Sequence, residues 1–268
     1  FNDSTVVITG GGSGIGAALA RRAADMGARV CVSDLDLEKA AAVATDIDGF
    51  AVKCDVRDEA QVQQLVAKAS EKLGDVDIYV SNAGLGRGDP GHAASQPDAD
   101  WELNWQVHVM SHVYASRALL PIMMARGSGH LVNVASAAGL LNQIGDAAYS
   151  ATKHAAVSFA ESLAITHGAD GIGVSVVCPQ YVATPLIGLS DSDAEAQDNL
   201  LTADDVAMAI TSGVEAGQFL ILSHHAVRAY AVHRAQDHDR WIEGMKMLRA
   251  KALQTFGGIK VENFYKLV

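Results

Sequence analysis

TVVITGGGSGIG, residues 5–16, decides the fold. A short β-branched apolar run leads straight into a cluster of glycines, and a helical pattern then runs from about Gly14 to Met26. A strand that is apolar on both faces belongs in a parallel sheet covered by helices on both sides. Glycine lets the backbone turn sharply and approach a ligand with no Cβ in the way. The helix that follows offers unpaired N–H groups and the positive end of its dipole. Between a strand and a helix, the octet TGGGSGIG (9–16) therefore reads as a pyrophosphate seat, formed by Gly10, Ser13, Gly14, Ile15 and Gly16.

The same alternation repeats along the chain. RVCVSD precedes a helix running through Ile47, FAVKCDV one through Leu73, and VDIYVSNAG a long one from about Asp98 to Arg126. HLVNVAS precedes the helix that bears Tyr149; GVSVVCPQ follows it, and QFLILS (218–223) makes a seventh strand after another helix. Alternating strands and helices predict an α/β fold: a doubly wound, Rossmann-type parallel sheet of about seven strands in the order 3-2-1-4-5-6-7, with helices on both faces. Residues 1–268 read as one domain with no linker and no internal repeat. From His224 onward the tail reads as a helical extension (224–268), with Trp241, Ile242, Met245, Leu248 and Leu253 near one face.

Composition narrows the classes. Of 268 residues, 49% are hydrophobic and 19% charged, a globular balance, and the net charge is −11. An acidic chain without a Lys/Arg run is a poor partner for nucleic acid or an anionic membrane, and no apolar run approaches the ~20 residues of a membrane span. Cys31, Cys54 and Cys178 each sit in a strand-like run without CxxC spacing, which suggests free thiols in a reducing compartment, the cytoplasm. Phe1 is not a natural start, so the native N-terminus lies outside this sequence, and what is shown contains no signal peptide.

Asp34 ends the second strand, eighteen residues after Gly16. A carboxylate there can accept hydrogen bonds from both ribose hydroxyls of an adenosine and would repel a 2′-phosphate. No Arg stands beside Asp34 or in the glycine loop to neutralise one, which favours NAD over NADP. Asp34 as a turn residue, with Asp36 competing as helix cap, is the alternative.

These residues add up to a pattern. TGGGSGIG, CDV (54–56), NAG (82–84) and Ser136, thirteen residues before YSATK (149–153), resemble the short-chain dehydrogenase/reductase superfamily in kind, order and spacing over about residues 4–222. The resemblance implies that Asp55 and Val56 contact the adenine, and that Asn82, Ala83 and Gly84 lie beside the cofactor. CPQYVATP (178–185) looks like the family's PG-x-V-x-T element, in which Val182 and Thr184 would flank the nicotinamide carboxamide; Gln180 stands where glycine is usual.

By the same resemblance Tyr149 is the acid/base, Lys153 lowers its pKa and binds the nicotinamide ribose, and Ser136 hydrogen-bonds the substrate oxygen. The spacing agrees: i, i+4 puts Tyr149 and Lys153 on one helix face, and an ammonium favours a phenolate whose ordinary pKa is ~10. The family usually holds a proton-relay water with an Asn seven residues after a Trp; counting from Trp101 lands on His108, with Asn104 a turn away. His108 is either the relay residue or an ordinary helix residue.

The expected pocket is mostly apolar: Leu141, Gln143, Tyr181 and Leu186, with Ala137, Leu140, Ile144, Ile187 and Leu189 around them. No Arg or Lys is placed to clamp a carboxylate, so the substrate reads as a small hydrophobic secondary alcohol or ketone. The segment 184–200 reads as a lid. The histidines His224, His225, His233 and His238 lack a completing ligand set, so no metal is expected. The family forms dimers or tetramers, and a homo-oligomer follows; the tail then either caps a neighbour's pocket or extends the interface. An NADP-dependent carbonyl reductase and a dinucleotide-binding regulator without turnover are the competing readings.

Overall fold

The computed structural model describes residues 1–89, 91–194 and 199–268. The first half alternates β1 (Thr5–Thr9), α1 (Gly14–Asp25), β2 (Arg29–Asp34), α2 (Leu37–Asp46), β3 (Phe50–Lys53), α3 (Glu59–Leu73) and β4 (Ile78–Ser81). It continues with α4 (Asp98–Trp105), α5 (Ser111–Arg126), β5 (Gly129–Val134), α6 (Ala147–His167), β6 (Ile172–Val177), α7 (Asp191–Ala194), α8 (Ala203–Glu215), β7 (Leu220–Ile221), α9 (His225–Gln236) and α10 (His238–Phe256). The seven strands form one parallel sheet in the order β3-β2-β1-β4-β5-β6-β7, as the alternation predicts. β1 lies between β2 and β4, so the strand order reverses there and opens a crevice at the strands' C-terminal ends.

The pleat of β1 explains its continuous apolarity. Val6 and Ile8 join the core under α1 and α8, with Leu19, Val43 and Ile210, whereas Val7 joins the core under α3, α5 and α6, with Leu65, Tyr79 and Leu119. Each such side chain, fully buried, contributes roughly 1.5–3 kcal/mol; the buried Thr5 and Thr9 at the ends of β1 satisfy their hydroxyls on the Leu73 and Val80 carbonyls.

Three details differ from the sequence reading. The long helix expected from Asp98 to Arg126 is interrupted between α4 and α5 by a π-helical turn, Gln106–Met110, which widens the helix where His108 sits. The seventh strand shortens to two residues. Third, α10 turns Leu248, Ala252 and Phe256 inward and leaves Ile242 and Leu253 exposed, because the pairing partner is a compact cluster around Phe264 rather than a broad face. Residues 195–198 of the segment expected to form a lid lie outside the described residues. Among the described residues no helix is long and apolar enough to cross a membrane.

Candidate active site

The glycine loop is shaped by what it packs against. A Cβ on Gly16 would overlap the Gly10 carbonyl and come 2.6 Å from Asn82 Nδ2, so only glycine lets α1 start this close to β4. Asn82 pins the loop from the other side: its Nδ2 donates to the carbonyls of Thr9 (2.9 Å) and Gly10 (3.2 Å). Ser13 precedes α1 in extended conformation and makes no side-chain cap, leaving the helix's first N–H groups to a ligand.

Asp34 sits beside this loop. Its carboxylate accepts from Gly12 N and Asp36 N, both at 3.0 Å, and retains lone pairs on each oxygen. Asp36, not Asp34, caps α2, accepting from Glu38 N and Lys39 N, which resolves the competition between the two carboxylates. A basic residue escaped the sequence reading: the Lys39 side chain packs against Gly12, but its ammonium lies 3.6 Å from Asp36. Further along the crevice Asp55 pairs with Arg57, whose hydrogen bonds hold the carboxyl below its usual range. The Val56 side chain is buried in the core, so only its backbone faces outward to a ligand.

Tyr149 and Lys153 lie one turn apart on α6, whose N-terminus is capped by Asp146 accepting from Tyr149 N at 3.1 Å. Ser136 follows β5; its Oγ accepts from Ala138 N at 3.1 Å and donates to the Pro179 carbonyl at 3.5 Å. Lys153 Nζ is buried, donates to the Val134 carbonyl at 3.0 Å and lies 5.5 Å from the centre of the Tyr149 ring. The expected lowering of the phenol's pKa by this ammonium is not what the geometry gives. Burial pushes the Tyr149 phenol up to about 12 against the opposing Ser136 hydrogen bond, and burial pushes the Lys153 amine down to about 8. The ammonium is turned toward the Val134 carbonyl, and desolvation of the phenolate is the largest influence on the phenol.

His108 is fully buried and both its ring nitrogens are engaged. Nε2 accepts from Leu85 N at 3.2 Å, so Nδ1 carries the proton and donates to Thr152 Oγ1 at 3.0 Å; that hydroxyl in turn donates to the Ala148 carbonyl. The ring meets Tyr149 edge-on at 5.2 Å and 85°. Burial first, then Lys153, push its pKa well below the ordinary histidine value. The relay expectation therefore fails for this side chain, which has no free atom for a water; it braces the tyrosine instead. Asn104, a turn away, donates to the Asp100 carbonyl at 2.8 Å.

The loop after β6 shows why Gln180 is tolerated. It is not among the residues with positive φ, so a glycine is not required there. Its N–H donates to His224 Nδ1 at 3.1 Å, and His224 Nε2 donates to the Tyr181 carbonyl at 3.0 Å. His224, which the sequence offered only as one of four histidines without a completing ligand set, is a buried clamp on this loop, and only the fold could reveal it.

These pieces enclose a cavity of about 380 Å³. Its lining brings together Gly10, Ser13, Gly14, Ile15, Asn82, Ala83, Gly84, Val182 and Thr184 with Ser136, Tyr149 and Lys153 and with Gln143, Tyr181, Leu186 and Ile187. Tyr181 donates to Gln143 Oε1 at 3.1 Å, tying two walls together. Leu141 does not belong here: it is buried beside Ala137 and Val227 under α9, because the turn after Ser136 points it away from the cavity.

The model of the short chain dehydrogenase family matches residues 4–195. The chain is 34% identical over 243 residues to the 1-deoxy-11-beta-hydroxypentalenate dehydrogenase of Streptomyces exfoliatus, covering 88% of this chain and 87% of that protein. It is 35% identical over 187 residues to the meso-2,3-butanediol dehydrogenase of Serratia marcescens, covering 69% and 73%. A crystal structure of a short chain dehydrogenase/reductase from Burkholderia phymatum in complex with NAD superposes with a TM-score of 0.81 at 30% identity, covering 89% of this chain and 95% of that one.

Proposed function

The chain belongs to the short-chain dehydrogenase/reductase superfamily, and on that premise we propose that it is an NAD-dependent oxidoreductase interconverting a hydrophobic secondary alcohol and its ketone, with Tyr149 as acid/base. The observation that carries this is the convergence of Ser136, Tyr149 and Lys153 in one cavity with the glycine loop. The dinucleotide, when bound, accepts or returns the hydride at its nicotinamide. The loop closed by Gly16 and the uncapped start of α1 fit its pyrophosphate, and the open lone pairs of Asp34 fit a ribose without a 2′-phosphate. Asp55, Val56, Asn82, Ala83, Gly84, Val182 and Thr184 are proposed as further cofactor contacts.

In the oxidation direction Ser136 Oγ orients the substrate oxygen, and Tyr149 Oη, in its phenolate form, takes the hydroxyl proton as the carbon's hydrogen leaves with its electron pair. In reduction the phenol returns that proton to the carbonyl oxygen. Lys153 spends one donor on Val134 and keeps two for the nicotinamide ribose. His108 holds the tyrosine ring in place through its edge contact. The apolar lining formed by Leu186 and Ile187 supports a substrate with a hydrophobic body, with Gln143 and Tyr181 as polar neighbours.

The test is turnover on a panel of secondary alcohols with NAD, with Tyr149→Phe as control, alongside equilibrium binding of NADH and NADPH. Tighter binding of NADPH would replace this reading with that of an NADP-dependent carbonyl reductase. The three free, buried cysteines support a reducing, cytoplasmic setting. A homodimer or homotetramer is proposed on family grounds, and sedimentation reads it directly. One continuous sheet supports reading residues 1–268 as one domain with a helical extension from 224.

A further inference from the structure

The substrate end of the cavity is completed by a residue from near the end of this sequence. Among the described residues beyond Ile187, Val261 alone lines the cavity; it opens a short 3₁₀ turn, Val261–Lys266. Two anchors fix that turn. On one side Ile259 packs so closely over Gly145 that a Cβ there would lie 2.5 Å from Ile259 Cγ2. Gly145 also has φ +86°, a conformation that favours glycine, so the 142–146 turn carrying Gln143 is shaped to receive the tail. On the other side Phe264 and Tyr265 are buried with Tyr181, Ala183 and Leu200, and Asn199 Nδ2 donates to the Val268 carbonyl. The tail is thus sewn to both loops that wall the cavity, and Val261, which lines it, lies in the sequence between the two anchors.

We infer that Val261 is a specificity-determining residue, its methyl groups setting the width available to the apolar substituent of the alcohol or ketone. This rests on the dehydrogenase reading above. A β-branched side chain holds one rotamer and makes a stiff wall. The anchors on either side keep that wall from retreating when a bulkier substrate enters. The tail serves its own chain's cavity, which neither sequence-based alternative, capping a neighbour's pocket or extending an interface, anticipates.

The experiment compares full-length wild type, Val261→Ala and Val261→Phe. kcat/KM with NAD is measured on secondary alcohols from propan-2-ol through octan-2-ol to cyclohexanol and 1-phenylethanol, and NADH affinity by fluorescence titration. Val261→Ala raises the ratio of bulky to slim substrates about 10-fold, and Val261→Phe lowers it by about the same factor or more, since one or two methylenes of pocket width change discrimination by roughly 10–200-fold. NADH affinity stays within about 2-fold in both, as the tail that carries Val261 is anchored on Gly145 and on the Tyr181–Ala183 loop rather than on the glycine loop. A folding defect moves both variants the same way; opposite shifts require a wall. Unchanged ratios in both variants, or one common factor across all substrates, overturn the inference while leaving the dehydrogenase reading intact. A wild type inactive on every alcohol, and on the matching ketones with NADH, overturns the dehydrogenase reading and this inference with it.

Discussion

The two ends of the cavity are built differently. The cofactor end is made by backbone: the turn after β1, the start of α1 and the end of β4 meet so tightly that side chains are excluded, and Asn82 bonds carbonyls rather than another side chain. The remaining lining, proposed to face the substrate, is made by side chains from three distant stretches: Gln143, Tyr181 with Leu186 and Ile187, and Val261. A constraint on backbone shape admits few residue types and so leaves a motif. A constraint on apolar volume admits many and leaves none. The residues proposed to be catalytic line the same cavity as both kinds of construction.

That contrast can be broken at its centre first. Tyr149→Phe keeps the ring against His108 but removes the proton carrier; kcat falls about 10²–10⁴-fold with NADH affinity within about 2-fold, as stopped-flow and binding measurements show. Gly16→Ala attacks the backbone end. The added methyl collides with the Gly10 carbonyl, and NADH affinity falls about 10–100-fold while any substrate preference among alcohols is kept, a split that isothermal titration and a substrate panel read together. His108→Ala removes the brace on the tyrosine: kcat drops about 10-fold with cofactor affinity unchanged, and His108→Phe, which restores an edge contact but not the two hydrogen bonds, recovers part of it.

Two pH measurements sharpen the comparison. Alcohol oxidation needs the phenolate, and kcat/KM reports groups of the free enzyme. With the phenol pushed up to about 12, oxidation kcat/KM rises with pH across the alkaline range, whereas ketone reduction, which needs the phenol, does not. Stability shows the other side of burial. His112, fully buried against Asn133, is pushed down to about 3, so below the ordinary histidine value of ~6.5 the unfolded chain binds a proton that the folded chain refuses. Its stabilisation is present above that value and is lost as pH falls, about 2 kcal/mol by pH 5, with His108 adding in the same direction. Thermal melts between pH 7.5 and 5 check the decline, and His112→Asn flattens it. The smallest effect expected is from Gln180→Gly, under about 2-fold on any constant. The clamp by His224 uses only backbone groups of the loop, and kcat/KM is the measure.

Much of the architecture was legible because burial on two faces and burial on one face write different patterns. Val6, Val7 and Ile8 could only be a central strand, and the strand–glycine–helix junction could only be a crevice loop. The misreadings share one cause. Leu141 and Leu186 are both plausible pocket residues by type, yet one faces the C-terminal helices and the other the cavity, a choice made by the turn after Ser136. His108 has the right position for a relay, but its two nitrogens were already taken by Leu85 and Thr152, partners 23 and 44 residues away.

The sequence by itself determined the sheet and the place of the crevice, because periodicity and glycine are local signals, and it put Tyr149 and Lys153 on one helix face; the Ser136–Tyr149–Lys153 set came from the ordered motifs that resemble the family. Tertiary structure alone decided the burial that shifts Tyr149 and Lys153, the edge contact of His108 on Tyr149, the clamp by His224 and the presence of Val261 in the cavity lining. Desolvation and long-range packing depend on what surrounds a side chain in space, and that surrounding is contributed by residues the chain brings together only when it folds.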